Sequence, residues 1–135
     1  MMKRLCIGLP IVVFLLVVAG ATAGAAEPPA PLKMAQAGEL GTILRGPTGM
    51  TLYTFANDKE PGKSACTGAC AENWPPFRPE AYASAPKAPL TIITRDDGSK
   101  QHAYKGKPLY YWMRDKKPGD TTGHKVGGVW FVAQP

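Results

Sequence analysis

Cys66 and Cys70 enclose Thr67-Gly68-Ala69 in the stretch CTGAC, and Trp74-Pro75-Pro76 follows close behind. Two cysteines at this spacing can form a disulfide, bind a soft metal or cycle as a redox couple. A disulfide across so short a loop restricts the unfolded chain little, so it would chiefly fix a local turn, with Gly68 supplying the bend. The metal reading adds His102 and His124, with Met50 and Met113, to the cysteines as copper ligands. A C-x-x-x-C pair with a distant histidine is also the ligand set of Sco-type copper chaperones. Their thioredoxin-like plan, however, needs a crossover helix that this sequence does not provide. Covalent haem is disfavoured because no cysteine is followed by histidine.

The second constellation is aromatic and acidic. Tyr53, Phe55 and Asp58 recur as Tyr110, Trp112 and Asp115, both satisfying Tyr-x-aromatic-x-x-Asp. On a strand the tyrosine and the second aromatic share one face. They are expected to fill a core at the repeat interface, while each aspartate opens a turn by accepting backbone amides of the following Asp-Lys-x-Pro-Gly loop. The alternative is a ligand slot lined by the aromatics and closed by the carboxylates. Asn57, Asp58, Asp115 and Asp120 offer oxygens for calcium, but alternate acidic positions around a central glycine are missing, and Lys59, Lys63, Lys116 and Lys117 crowd the same loops. His102, between Gln101 and Ala103, reads as the solvent face of a hairpin, and His124 as a loop residue.

Catalysis has little support in the sequence. It contains no serine or cysteine nucleophile with a placed base, no phosphate-cradling glycine loop before a helix, and no carboxylate pair with divided acid and base roles. Asp96-Asp97 reads as the start of a hairpin turn. A non-enzymatic chain without a cofactor is the expectation, copper being the alternative.

The elements that must position these residues come from an internal repeat. GMTLYTFANDKEPGKS from Gly49 and GKPLYYWMRDKKPGDT from Gly106 align at a constant offset, 115 minus 58 or 57, with seven identities. Trp74 falls opposite Trp130 after a one-residue gap. Each half would leave an apolar face uncovered alone, so the two are expected to pack about a pseudo-two-fold axis. LTIITR, KQHAYK and PLYYWM read as strands joined at Asp97-Gly98 and Lys105-Gly106, steps that supply the positive φ of tight turns. GGVWFVA makes a last strand, and GTILRG pairs with MTLYTF across Pro47-Thr48-Gly49. Ala69 to Asn73 is long enough for one helical turn before the prolines stop it. The expected fold is mainly β: a small two-repeat sandwich or barrel-like domain of short antiparallel hairpins, with at most one short helix.

The N-terminus carries Lys3 and Arg4, an apolar run from Ile7 to about Ala19, then small residues, the order of a secretory signal with cleavage after Ala25 or Ala26. The run is short for a membrane span, which takes roughly 20 apolar residues. Cys6 precedes the run and leaves with it, and no cysteine stands where lipid attachment would occur. Residues 27–38 hold three prolines and read as an extended linker, and 39–135 as one β domain with repeats over about 41–77 and 92–133. Export makes a disulfide the first reading of Cys66 and Cys70. Without Lys3 and Arg4 the 16 basic residues become 14 against 10 acidic, a net +4 that suits weak contact with acidic surfaces, including peripheral contact with a membrane. The basic residues are scattered rather than gathered in a stripe, so nucleic acid is not an expected partner. An envelope protein, a surface polymer or a small ligand is.

The two Tyr-x-aromatic-x-x-Asp motifs, with CTGACAENWPP between them and KPLYYW and GGVWFV after, resemble the bacterial "secreted repeat of unknown function" family, over roughly Gly41 to Ala133. Its members are described as predicted lipoproteins carrying the motif twice. The resemblance implies an extracytoplasmic, repeated domain and no assigned activity. The missing lipidation cysteine departs from the lipoprotein description.

Overall fold

The computed structural model describes Gly8, Gly20 and residues 27–135. Apart from those two glycines, the expected signal segment 1–26 lies outside the described residues. Strands β1 (Lys33–Gln36) and β2 (Thr42–Arg45) form the first hairpin, in register from Lys33 opposite Arg45 to Gln36 opposite Thr42. The fold therefore begins before Glu39, and the linker reading of 27–38 needs correcting. The prolines end at Pro31, so the backbone from Leu32 onward keeps every N–H a ladder needs, and Leu32 is buried in the core. β2 keeps a single bridge to the expected partner, Arg45 opposite Thr51.

A three-stranded sheet follows in the second half: β4 (Leu90–Thr94), β5 (Lys100–Tyr104) and β6 (Lys107–Pro108), all antiparallel. Its turns are those the sequence signals. Asp97 Oδ1 accepts from the Ser99 N–H and hydroxyl, and the Lys105-Gly106 step takes φ values of 50° and 80°. Between the halves lies one short helix, α1 (Ala69–Asn73), ended by Trp74-Pro75-Pro76.

The centre is built from β3 (Tyr53–Phe55), β7 (Trp130–Val132) and two irregular stretches. Tyr53 and Tyr110 exchange both backbone hydrogen bonds, N–H to C=O, at 2.8 and 3.0 Å. β7 pairs with β3 on one side, and Pro76 bridges to Tyr110 on the other. The described residues thus make small antiparallel sheets and no closed barrel, and of the expected strand PLYYWM only Pro108 joins a regular strand, with Lys107 before it. Pro75, Pro76 and Pro108 have no N–H to donate, so the ladder around Tyr110 is broken where its counterpart around Tyr53 is continuous.

The hydrogen bonds nevertheless repeat. Leu44 donates to Ala133, Ala133 to Leu52 and Leu52 to Leu44, at 2.8, 2.8 and 3.1 Å. His102 donates to Phe77, Phe77 to Leu109 and Leu109 to His102, at 2.7, 2.9 and 3.0 Å. These two rings of three amides are related by the same exchange of repeats that relates Tyr53 to Tyr110. Both buried apolar clusters draw side chains from both repeats, so neither half closes a core alone.

Candidate functional site

The motif residues meet across the pseudo-two-fold axis, not within their own repeat. The Tyr53 hydroxyl donates to Asp115 Oδ2 at 2.6 Å, and the Tyr110 hydroxyl donates to Asp58 Oδ2 at 2.6 Å. Each carboxylate then holds its own loop: Asp58 Oδ1 accepts from Ala65 N–H at 2.6 Å, and Asp115 Oδ1 from the Thr122 N–H at 3.0 Å and hydroxyl at 2.6 Å. Ala65 and Thr122 differ by the repeat offset of 57. The residues after Phe55 and after Trp112 make matching tight turns, Asp58 N–H to Phe55 C=O and Asp115 N–H to Trp112 C=O, which is how the motif spacing aims both aspartates inward.

Burial and the neighbouring carboxylates push both tyrosine hydroxyls well above their usual range, so both stay protonated donors. Asp58 is raised by desolvation, opposed by hydrogen bonds from Tyr110 and Ala65 and by the charge of Arg95. Asp115 is 7% exposed.

Between the two clasps stand four stacked rings. Phe55 lies on Trp130 at 4.2 Å between centroids, Trp130 on Trp74 at 3.8 Å, and Trp74 on Trp112 at 4.0 Å. Tyr53 meets the Trp74 ring edge-on at 5.4 Å, and Tyr110 meets Trp130 likewise at 5.1 Å. The order is palindromic under exchange of repeats. Gly123 is forced by it, because a Cβ there would stand 2.8 Å from Trp74 and 2.9 Å from Tyr53.

Repeat one carries Cys66 at the position of Gly123, and the structure closes the Cys66–Cys70 disulfide with Cα atoms 5.3 Å apart. It spans the start of α1, from Cys66 before the helix to Cys70 in its first turn, and the Trp74 N–H caps that helix on the Cys70 carbonyl at 2.8 Å. The staple thereby sets the backbone that delivers Trp74 to the stack. Beside it lies Arg95, 6% exposed, whose guanidinium donates to Ser64 Oγ at 2.9 Å, Gln101 Oε1 at 2.7 Å and the Cys66 carbonyl. Ser64 Oγ in turn lies 2.7 Å from the Tyr110 hydroxyl, linking Arg95 to Asp58 through two hydroxyls. Sequence reading missed Arg95, Ser64 and Gln101, since an arginine next to a hairpin turn carries no mark of burial.

The histidines lie apart from the cysteines in role. His102 is 3% exposed, not on a solvent face, because β5 is the central strand of its sheet and the Phe77 ring packs tilted against the imidazole, with centroids 4.5 Å apart. Desolvation lowers its pKa, a hydrogen bond to the Thr91 backbone opposing, and Nδ1 has no hydrogen-bond partner among the described residues. His124 Nδ1 accepts from the Val132 N–H at 3.1 Å, and its pKa is lowered by desolvation and Lys125. Asp120, the remaining calcium candidate with Asn57, accepts from the Lys116 and Lys117 amides. No group of three or more histidine, cysteine or acidic side chains is placed to hold a metal among the described residues.

Two clefts flank the centre at related places. One, about 630 Å³, is bordered by Thr54, Phe131 and Ala133, and the other, about 1210 Å³, by the corresponding Tyr111, Pro75 and Phe77. A tandem-repeat β domain locked by crossed tyrosine–aspartate pairs is the class this geometry defines. The chain matches the model of the family described as secreted repeat of unknown function twice, over residues 35–78 and 91–134, and it belongs to that family. Neither a curated protein nor a solved structure shows significant similarity to the chain.

Proposed function

We propose that this is a non-catalytic module of the cell envelope, exported by cleavage after Ala25 or Ala26 without lipidation, whose pseudo-symmetric centre is a rigid scaffold and whose flanks bind. One observation supports this above the others. The hydroxyls and carboxylates of the repeated motif are committed to each other across the repeats, at 2.6 Å in both clasps, so the motif is explained as the lock between halves. A scaffold whose polar groups are paired and whose rings stack is stiff, which favours presentation of a surface over chemistry. The purified mature chain is expected to turn over nothing in a panel of ordinary hydrolase and redox substrates. Turnover abolished by Asp58→Ala or Asp115→Ala would overturn the reading.

A second reading, thiol redox or copper handling at Cys66 and Cys70, is favoured by Arg95. Its guanidinium contacts the Cys66 carbonyl, and a neighbouring cation stabilises a thiolate once the bond is reduced. Alkylation of the native protein under mild reductant, followed by intact mass, separates the two. Rapid labelling of both cysteines or retained copper supports the redox reading, and an unlabelled, metal-free disulfide supports the scaffold.

A further inference from the structure

We propose that the larger cleft, over Phe77, His102 and Tyr111, binds a neutral ring-bearing small molecule that carries a hydroxyl or N–H donor. The proposal deepens the binding-module reading and rests on it. Small-molecule sites span roughly 300–1,000 Å³ and are mainly apolar with a few placed polar groups. This cleft, about 1210 Å³, is walled by prolines from four stretches: Pro28, Pro29 and Pro31; Pro47; Pro75-Pro76; and Pro86.

Proline walls present no N–H, so an extended peptide would find few donors for its carbonyls here. The floor is aromatic: Phe77 packs on His102 at 4.5 Å and meets Tyr111 edge-on at 5.5 Å. Such a floor suits a flat ring by offset or edge contact. The rim carries Glu27 and Glu80 against Arg78 and Lys87, which selects neither sign of charge. The floor is neutral too, because burial lowers the His102 pKa and pushes Tyr111 up to about 12. His102 Nδ1 is buried in the floor without a hydrogen-bond partner among the described residues; as the unprotonated nitrogen of a neutral imidazole it would accept from a ligand donor.

The other half of the molecule shows that the fold does not require this floor. By the matching amide rings and the repeat offset, Phe77, His102 and Tyr111 take the places of Ala133, Leu44 and Thr54. The scaffold is equally closed with those smaller or apolar side chains, and the cleft there has about half the volume.

The test uses 2-naphthol, a neutral aromatic alcohol, beside naphthalene-2-sulfonate and n-decanol, titrated into the full mature chain and followed by amide chemical shifts. Saturable 2-naphthol binding at one per chain, with shifts centred on Phe77, His102 and Tyr111, is expected, the other two binding at least about tenfold more weakly. Ala85→Trp, which fills the rim from an exposed position, should abolish it. His102→Phe keeps a ring against Phe77, removes the acceptor, and should weaken binding about tenfold.

Tighter binding of the sulfonate or of decanol would overturn the ligand class and leave the binding module standing. Shifts at the cleft that grow with protein concentration alone would assign it to a second copy and overturn the proposal. Absence of saturable binding by all three probes would overturn it as well, whereas the module reading falls only to the turnover experiment above.

Discussion

The two halves agree at the axis and part at the flanks. Crossed tyrosine–aspartate pairs, the palindromic ring stack and the paired amide rings recur with the same partners. The disulfide, the buried Arg95 and the aromatic cleft floor each occur on one side only. The difference separates what holds two repeats together from what each half does beyond that. Groups at the axis touch their own counterparts, so a change there is felt by both halves, while a change at a flank is felt by one.

The largest expected effect is at the axis. Trp74→Ala removes the ring between Trp130 and Trp112 and should destabilise by about 3–5 kcal/mol in urea unfolding. Trp112→Ala, at the partly buried end of the stack, should cost about half as much. Equal losses would mean that the stack has no privileged centre.

The clasps come next. Tyr53→Phe leaves the buried Asp115 short of a charge-assisted hydrogen bond and removes the acceptor of the Gly123 N–H at 3.2 Å, for about 2–3 kcal/mol. Tyr110→Phe should cost less, because Asp58 is only half buried and the solvent can replace the lost donor.

At the one-sided staple, Cys66→Ala with Cys70→Ala should cost about 2 kcal/mol, the value for closing a loop of sequence separation 4. It should loosen the α1 amides selectively in hydrogen exchange. Loosening of the repeat-two amides to the same degree would erase the distinction between axis and flank.

The smallest effect is in pH dependence. His102 is depressed from 6.5 in the fold, so the unfolded chain takes up the proton first and stability is lost as pH falls below about 6.5. His102→Gln should flatten that slope, leaving the smaller contribution of His124. Asp58 has the opposite sign: its raised pKa makes the native state hold the proton longer, so stability falls as pH rises from 3.8 toward the folded value. Asp58→Asn should remove that acid-side slope.

Much of this was legible in the sequence. The repeat, the Asp97-Gly98 and Lys105-Gly106 turns and the short helix before Trp74 follow from local spacing and turn chemistry, which neighbouring residues decide; the Cys66–Cys70 bond is the first of three readings of its spacing, favoured by the export signal. The crossing of the clasps was not, because a tyrosine and an aspartate five positions apart in each motif satisfy the same spacing whether paired within a repeat or across. β1 was hidden behind the prolines at 28, 29 and 31, and Leu32 gives no periodic signal alone. His102 reads as a surface residue and Arg95 carries no signal, because burial on both sides of β5 comes from Phe77 and the Cys66 loop, which are distant in sequence.

The crossing is tested most directly by two double-mutant cycles, Tyr53→Phe with Asp115→Asn and Tyr53→Phe with Asp58→Asn, read by equilibrium unfolding. Coupling of about 1–2 kcal/mol in the first cycle and none beyond about 0.5 kcal/mol in the second is the expected result. Coupling confined to Tyr53 and Asp58 would place each clasp inside its own repeat and contradict the account.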